Sequence, residues 1–559
     1  MTYPLPSNPD FTKTINTIFS KYEISQKQKT FNEICFPKTY ELQIPQMFLA
    51  EYMNPRTPYR GLLVYHKIGG GKSCVAINIA ERFIGKKNII IVLPASLKGN
   101  FRNELRTPCA GEKYLTNNEK ETIKKLQPND QNYIDIITKS DDRIDKHYTI
   151  YSYNKFIKLS RIGKINLANS LLIIDEIQNM VSETGIYYHV LYDMIKQYPT
   201  DMRLVLMTAT PIFDKPIELA LTMNLLINDE FPTGKDFDEQ FIKKNKNEFN
   251  VINMDIFKKK IKGYVSYYRG APDFVFPKTE IYFINCIMSD EQLVLYNMIA
   301  KKEDVSGELN SLDDKMSNKF YIGTRMTSNF MYPYQKDYDI LNDADFEMKN
   351  LLLLSSKYHK IITKIKKCDG TIFIYSNFKQ YGGLASLIRA LKVNGHFDYA
   401  SSGVGENTFA VWSGDEKMRY REEIKTIFNN KDNEDGSKIK IILGSSAIKE
   451  GVSLFRIQEV HIIEPYFNWS RLDQVIGRSS RYCSHKDVIP GKQLVRVYVY
   501  FAVHGSLKMS VDQIIMNIAL NKKIINIKFE RALKEAAIDC TLFRYGNIDK
   551  NDSPIRCDE

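Results

Sequence analysis

The stretch Gly61-Leu-Leu-Val-Tyr65-His66-Lys67-Ile68-Gly69-Gly70-Gly71-Lys72-Ser73-Cys-Val-Ala-Ile-Asn-Ile-Ala80-Glu81 decides the fold. An apolar, β-rich run ends in a glycine-rich turn, and a run of helical character follows. Glycines there let successive backbone N–H groups face a phosphate, and the N-terminus of the next helix adds a favourable field. Lys72 is placed to reach the β- and γ-phosphates of a nucleotide, and Ser73 to hold Mg²⁺. The first glycine of the usual motif is replaced by His66. Residues His66, Lys67, Ile68, Gly69, Gly70, Gly71, Lys72 and Ser73 are therefore the expected nucleotide cradle.

Outward from this point the same alternation recurs. Asn88-Ile-Ile-Ile-Val-Leu93, Tyr148-Thr-Ile-Tyr151, Leu171-Leu-Ile-Ile174 and Leu204-Val-Leu-Met207 are short apolar runs separated by helical stretches. Continuous runs of this kind indicate a parallel sheet covered on both faces. They predict a doubly wound domain over 41–230, after a polar lead-in over 1–40. Residues 231–350, rich in Asn, Lys and Asp, read as a connector or insertion. A second series (Thr371–Tyr375, Phe409–Val411, Ile439–Leu443, Val460–Ile463, Val495–Val499) predicts a second parallel-sheet domain over 351–505. Helical spacing of Ile514, Ile515, Ile518 and Ala519, then of Phe529, Leu533 and Ala537, predicts a helical tail over 506–559. The fold class is α/β.

Composition fits this division. A chain of 559 residues exceeds one ordinary core, and 43% hydrophobic with 26% charged residues is a globular balance. No run reaches the ~18 apolar residues of a membrane span. Met1-Thr-Tyr-Pro-Leu-Pro6 has no basic stretch followed by an apolar one, so no secretory signal is expected. The net charge of +12 favours a polyanionic partner. The 8 cysteines form no Cys-x-x-Cys pair, which predicts reduced thiols in a cytosol-like compartment. Cys483-Ser-His485 lacks the further ligands that a zinc site needs.

Three motifs follow the phosphate loop in order. Asp175-Glu176 ends an apolar run, at the sheet edge where α/β proteins bind ligands. Asp175 would coordinate Mg²⁺, and Glu176 would orient or deprotonate the attacking water. Met207-Thr208-Ala209-Thr210-Pro211 ends another run, and the hydroxyls of Thr208 and Thr210 would link the nucleotide to a nucleic-acid face. In the second domain, Gln474-Val-Ile-Gly477-Arg478-Ser-Ser-Arg481 places two arginines at i and i+3, on one face if helical. Arg478 and Arg481 would reach the γ-phosphate if the domains close, with Gln474 beside them. Smaller signals complete the layout. Gln46 would read adenine through its amide. Pro94 and Ser96, Ser376, and Ser445 sit at ends of apolar runs and would meet nucleic-acid phosphates. Gly451 is a candidate backbone contact to the nucleotide. Tyr264, Tyr267 and Tyr268 could stack on bases, although core packing is the simpler reading.

In this order the motifs resemble those of superfamily 2 helicases and translocases, over about 40–500. His66, Asp175-Glu-Ile-Gln-Asn179, Thr208-Ala-Thr-Pro-Ile-Phe213, Gly263-Tyr-Val-Ser-Tyr-Tyr-Arg-Gly270 and Gln474–His485 look like one viral branch. That branch includes poxvirus nucleoside triphosphatase I and the small subunit of the poxvirus early transcription factor. The resemblance implies two RecA-like domains and ATP with Mg²⁺ as cofactors. It also implies ATP hydrolysis stimulated by nucleic acid, DNA rather than RNA, in the service of viral transcription. A viral RNA polymerase or a transcription-factor subunit is the implied protein partner, no membrane is involved, and the host cytoplasm or the virion is the implied location. The chain departs from the pattern at Gln178, where many members carry His. The competing reading is a transcription initiation subunit that uses ATP as a switch and binds promoter DNA with a partner. An exposed apolar patch on 231–350 or 506–559 would favour it.

Overall fold

The computed structural model describes residues 3–27, 29–126, 130–197, 201–245, 248–305, 321–446, 452–548 and 553–558. It divides into two compact units, Met1–Pro272 with Ile524–Glu559, and Asp273–Lys523. The second unit is thus inserted within the chain path of the first.

The first unit is built on a parallel sheet of β1 (Gly61–His66), β2 (Asn88–Leu93), β3 (Tyr148–Ser152), β4 (Ser170–Ile174) and β5 (Arg203–Thr208), an antiparallel pair β6 (Ile242–Asn245) and β7 (Glu248–Val251) outside it, and β8 (Val265–Tyr268). The sheet order is β3-β2-β4-β5-β1-β8. Its central strands are buried on both faces, which is why they read as unbroken apolar runs. Leu62, Val64, Ile89, Ile91, Leu171, Ile173, Val205 and Met207 share one core with Phe11, Ile15 and Phe19 of the N-terminal segment and with Ile538, Leu542 and Phe543 near the C-terminus. Both the lead-in and part of the tail therefore belong to this unit.

The second unit carries β9 (Lys278–Ile287), β10 (Thr371–Tyr375), β11 (Phe397–Asp398), β12 (Thr408–Trp412), β13 (Ile441–Gly444), β14 (Ile457–Ile462) and β15 (Leu494–Val503). Their order is β11-β12-β13-β10-β14-β15-β9, again all parallel. The tail forms the helix Val511–Glu535, but Ala537 lies past its end and the described residues after Glu535 form no helix. Among the described residues no helix is long and apolar enough to cross a membrane.

Two expectations need correction. The segment 231–350 is more than a connector: β8 closes one edge of the first sheet, beside β1, and β9 lies at an edge of the second, beside β15. β8 has only four residues and β9 is an edge strand with Ile281, Phe283 and Ile287 exposed, so neither shows the clean apolar run of a central strand. The expectation of reduced thiols also fails. Cys74–Cys109 and Cys540–Cys557 are disulfides with Cα–Cα distances of 5.7 and 5.6 Å. Their sequence separations of 35 and 17 carry no motif; only the fold brings each pair together.

Candidate functional site

The phosphate loop leaves β1 at His66. Gly70 N–H donates to the Lys67 carbonyl at 3.0 Å, closing a tight turn. Gly69 and Gly71 have φ of +87° and +65°, the left-handed region that a side chain disfavours. A Cβ on Gly71 would also stand 2.4 Å from Gln46 Nε2. Gly71 then caps the helix Lys72–Glu81, so Lys72 and Ser73 occupy its first turn, where unpaired N–H groups favour an anion.

Gln46 lies against this loop, with Nε2 donating to the Gly71 carbonyl at 3.5 Å. Its Oε1 accepts from Gln43 N–H at 2.9 Å in the capping box of Ile44–Tyr52. These bonds hold the amide against the loop and leave it one further N–H and one further lone pair.

Asp175 and Glu176 stand at the carboxyl end of β4. Burial, with the Glu176 carboxylate adding to it, pushes the Asp175 carboxyl up to about 7 against the pull of Lys72. A divalent cation relieves such a penalty, and the Ser73 hydroxyl with the Asp175 carboxylate is the oxygen donor set that Mg²⁺ prefers. Glu176 adopts φ +51°, ψ +48°, a left-handed conformation that costs a non-glycine residue about 1 kcal/mol or more. Tyr153, in the helix Tyr153–Arg161, holds it there. Its hydroxyl donates to the carbonyls of both Asp175 (2.5 Å) and Glu176 (3.0 Å). Sequence reasoning missed Tyr153, since a tyrosine at a helix start carries no signal of its own.

A hydrogen-bonded chain leaves Glu176. Gln178 Nε2 donates to Glu176 Oε2 at 2.7 Å, Thr208 Oγ1 donates to Gln178 Oε1 at 2.7 Å, and Thr210 N–H donates to Thr208 Oγ1 at 2.9 Å. Thr208 is fully buried, and Thr210 Oγ1 is buried with no partner among the described residues. Pro94 is buried at the end of β2, and Ser96 is exposed in the turn Ala95–Leu97 after it.

The second unit presents a separate constellation. Gln474 and Arg478 lie on the helix Trp469–Ser479, which Asn468 caps. Arg481 lies past the end of that helix, so the expected i, i+3 pairing on one helical face does not form. The two guanidinium groups nevertheless converge: Arg478 Nη1 and Arg481 Nη2 donate to the Val452 carbonyl at 3.4 and 3.3 Å.

Ser376 and Ser445 end β10 and β13 but are both fully buried. The Ser376 hydroxyl donates to Glu464 and accepts Phe378 N–H, so it is committed inside the unit rather than offered to a phosphate. Ser445 Oγ has no partner among the described residues. Gly451 lies outside the described residues. His485 is structural, bonded to Ser484 Oγ at 2.9 Å and to the Ile457 carbonyl at 2.8 Å.

The tyrosines of β8 pack in the core. Tyr267 lies 5.0 Å from Tyr65, centroid to centroid, and Tyr268 lies 5.7 Å from the His66 ring.

A model of the SNF2-related domain matches residues 7–337. A protein of Acanthamoeba polyphaga mimivirus described as a putative ATP-dependent RNA helicase is 54% identical, over 100% of this chain and 99% of that protein. The termination factor NPH-I homolog of African swine fever virus is 26% identical, over 86% of this chain and 76% of its own length. Among solved structures, the Sulfolobus solfataricus SWI2/SNF2 ATPase core in complex with dsDNA aligns at TM-score 0.31 and 13% identity, covering 82% of this chain and 86% of that one.

Proposed function

Since the chain belongs to the SNF2-related family of superfamily 2 helicases, in the branch carried by large DNA viruses, we propose that it is an ATP-driven translocase on DNA that serves viral transcription. ATP hydrolysis is the activity of the family. In this reading the loop 66–73 takes the phosphates, Lys72 neutralises the β- and γ-phosphates, and Glu176 orients the attacking water. Ser73 and Asp175 would hold Mg²⁺, which supplies positive charge against the phosphates. Arg478 and Arg481 act on the γ-phosphate during hydrolysis, and such arginines are typically worth ~10³–10⁵ in rate.

The observation that carries the reading is the chain Glu176–Gln178–Thr208–Thr210. It connects the residue that orients water to a loop at the end of another strand. A motor needs such a link between hydrolysis and its track, and a simple nucleotide-binding fold does not.

The test is ATP hydrolysis by the full chain with no nucleic acid, single-stranded DNA, duplex DNA or RNA, at low and moderate salt. Glu176→Gln is the control. Stimulation by DNA that weakens as salt rises and vanishes in the variant is the expected result. Stimulation by RNA alone would replace the DNA assignment.

A second reading has its own support. Ile281, Phe283 and Ile287 are exposed on β9, and Leu520, Ile524 and Ile527 are exposed at helical spacing on Val511–Glu535. Apolar surface of this kind suits a subunit that works with a transcription partner. Weak hydrolysis with every nucleic acid, restored by a partner subunit, would favour that reading.

A further inference from the structure

The residue that breaks the usual phosphate-loop pattern is the one with the most specific surroundings. His66 is fully buried, and its Nε2 lies 3.0 Å from Ser266 Oγ on β8. Ser266 Oγ donates in turn to Asp539 Oδ2, and Tyr267 N–H donates to Asp539 Oδ1 at 2.9 Å. Asp539 follows the long C-terminal helix, in a segment that lines β8. Ile538 N–H donates to the Val265 carbonyl at 2.8 Å, and Arg269 N–H donates to Asn547 Oδ1 at 2.8 Å.

β8 itself supports the loop. Lys67 N–H donates to the Tyr268 carbonyl at 3.0 Å. A Cβ on Gly270 would stand 3.1 Å from both Gly70 N and the Ile68 carbonyl oxygen, so the backbone after β8 lies directly on the loop. His66 reaches the same place: its Cβ is 3.3 Å from where a Gly70 Cβ would be.

Counting protons fixes the histidine. A serine hydroxyl has one proton to give. Burial pushes the Asp539 carboxyl up to about 7, so above that pH it is ionised; Ser266 then gives its proton to that carboxylate and has only lone pairs left for His66. His66 Nε2 must then carry the ring proton. Nδ1 is left bare, and among the described residues nothing hydrogen-bonds to it. Burial and nearby Lys72 hold the imidazole down to about 3, so the ring is neutral at physiological pH and the tautomer is its variable state.

We infer that His66, Ser266 and Asp539 form a positioning relay through which the C-terminal segment sets the shape of the phosphate loop. Asp539 commits the Ser266 proton, Ser266 selects the His66 tautomer, and His66 props the loop at Gly70. The inference rests on reading that loop as the ATP site.

Asp539→Asn tests it without emptying the space. The amide oxygen still accepts from Tyr267 N–H, but the amide nitrogen now donates to Ser266. The Ser266 proton must turn to His66 and force the Nδ1–H tautomer. The full chain, labelled with ¹⁵N-histidine, is studied by NMR at pH 8, with the His66 signals assigned by their loss in His66→Gln. The expected spectrum is Nε2–H in the wild type and Nδ1–H in Asp539→Asn. The expected kinetics are a KM for ATP raised about tenfold with little change in kcat. Ser266→Ala should raise KM similarly, and Ser266→Thr, which keeps the hydroxyl, should restore it. A wild-type Nδ1–H tautomer would overturn the relay. So would an unchanged KM in Asp539→Asn once its tautomer has switched. Wild-type protein that neither binds nor hydrolyses ATP would instead overturn the reading of the loop as the ATP site, and the relay's purpose with it.

Discussion

Gln178 donates to Glu176 with one end of its amide and accepts from Thr208 with the other, at 2.7 Å on each side. An amide does this at any pH. A histidine in the same place could donate to Glu176 and accept from a hydroxyl only in its neutral form. Gln178→Glu would replace the donor with a second carboxylate facing Glu176. It should lower kcat at least tenfold, by roughly the cost of a lost charge-assisted hydrogen bond. Gln178→His should retain most activity but gain a fall at acid pH, measurable as a kcat profile between about pH 5 and 8.

Thr208→Val keeps the volume of a buried residue and removes its hydroxyl. If the chain from Glu176 carries the signal between hydrolysis and track, hydrolysis without nucleic acid should change little while its stimulation collapses. The ratio of stimulated to unstimulated rates is the measurement. Equal loss of both rates would mean that Thr208 supports the fold of the site and not the coupling.

Tyr153→Phe removes the hydroxyl that holds the carbonyls of Asp175 and Glu176. Glu176 should relax out of its left-handed conformation. A tenfold drop in kcat is expected, equivalent to about 1.4 kcal/mol, with thermal stability lowered by only a few degrees. A parallel loss of kcat and stability would point to general unfolding around β4.

The Asp175 carboxyl gives a pH dependence with a definite sign. Its pKa in the folded chain, raised to about 7, lies above the unfolded value of about 3.9. Its contribution to stability is therefore fully present below about pH 4 and is lost as pH rises through about 7. Asp175→Asn removes that loss. In buffer containing a chelator the variant should be more stable than the wild type at pH 8 and nearly equal to it at pH 4. Chemical denaturation at the two pH values reads the difference, while hydrolysis by the variant should be abolished.

In the second unit, Lys357 and Asp512 form an ion pair of 2.7 Å with both side chains fully buried. Asp512 also accepts Ala502 N–H at 2.8 Å, and Lys357 donates to Asn329 Oδ1 at 2.9 Å and to the Ile463 carbonyl at 3.0 Å. Asp512→Ala would strand the ammonium in the core and should destabilise the unit by about 3–5 kcal/mol. Adding Lys357→Met should recover much of that loss, as a denaturant titration of the two variants would show.

The central strands and the loop 66–73 were legible because their signal is local. Buried parallel strands are unbroken apolar runs, and a phosphate loop is a strand, a turn and a helix in sequence. What lay beyond reading is set by distance along the chain. Nothing near Ser266 tells that it meets His66, and nothing near Asp539 tells that it meets Ser266. Cys74 and Cys109 pair only because the loop after the helix Lys98–Leu105 returns to the phosphate-loop helix. Strand-end hydroxyls were ambiguous for another reason. Ser376 sits where a phosphate contact is expected, yet it turns inward to a buried partner, Glu464. The i, i+3 spacing of Arg478 and Arg481 suggested one helical face, but the helix ends between them, at Ser479.

The order in which the first unit is assembled has a consequence for synthesis. A ribosome delivers His66 early and Asp539 only after the whole of the inserted second unit has been made. The nascent chain therefore carries a complete phosphate-loop motif long before it carries the segment that lines β8. Domains tend to fold as they emerge, N-terminal parts first. Here the N-terminal part has to wait, and a product released early by the ribosome would keep every nucleotide motif of the first unit while lacking its Asp539 anchor. Synthesis of the segment around Asp539 thus acts as the last step in building the loop.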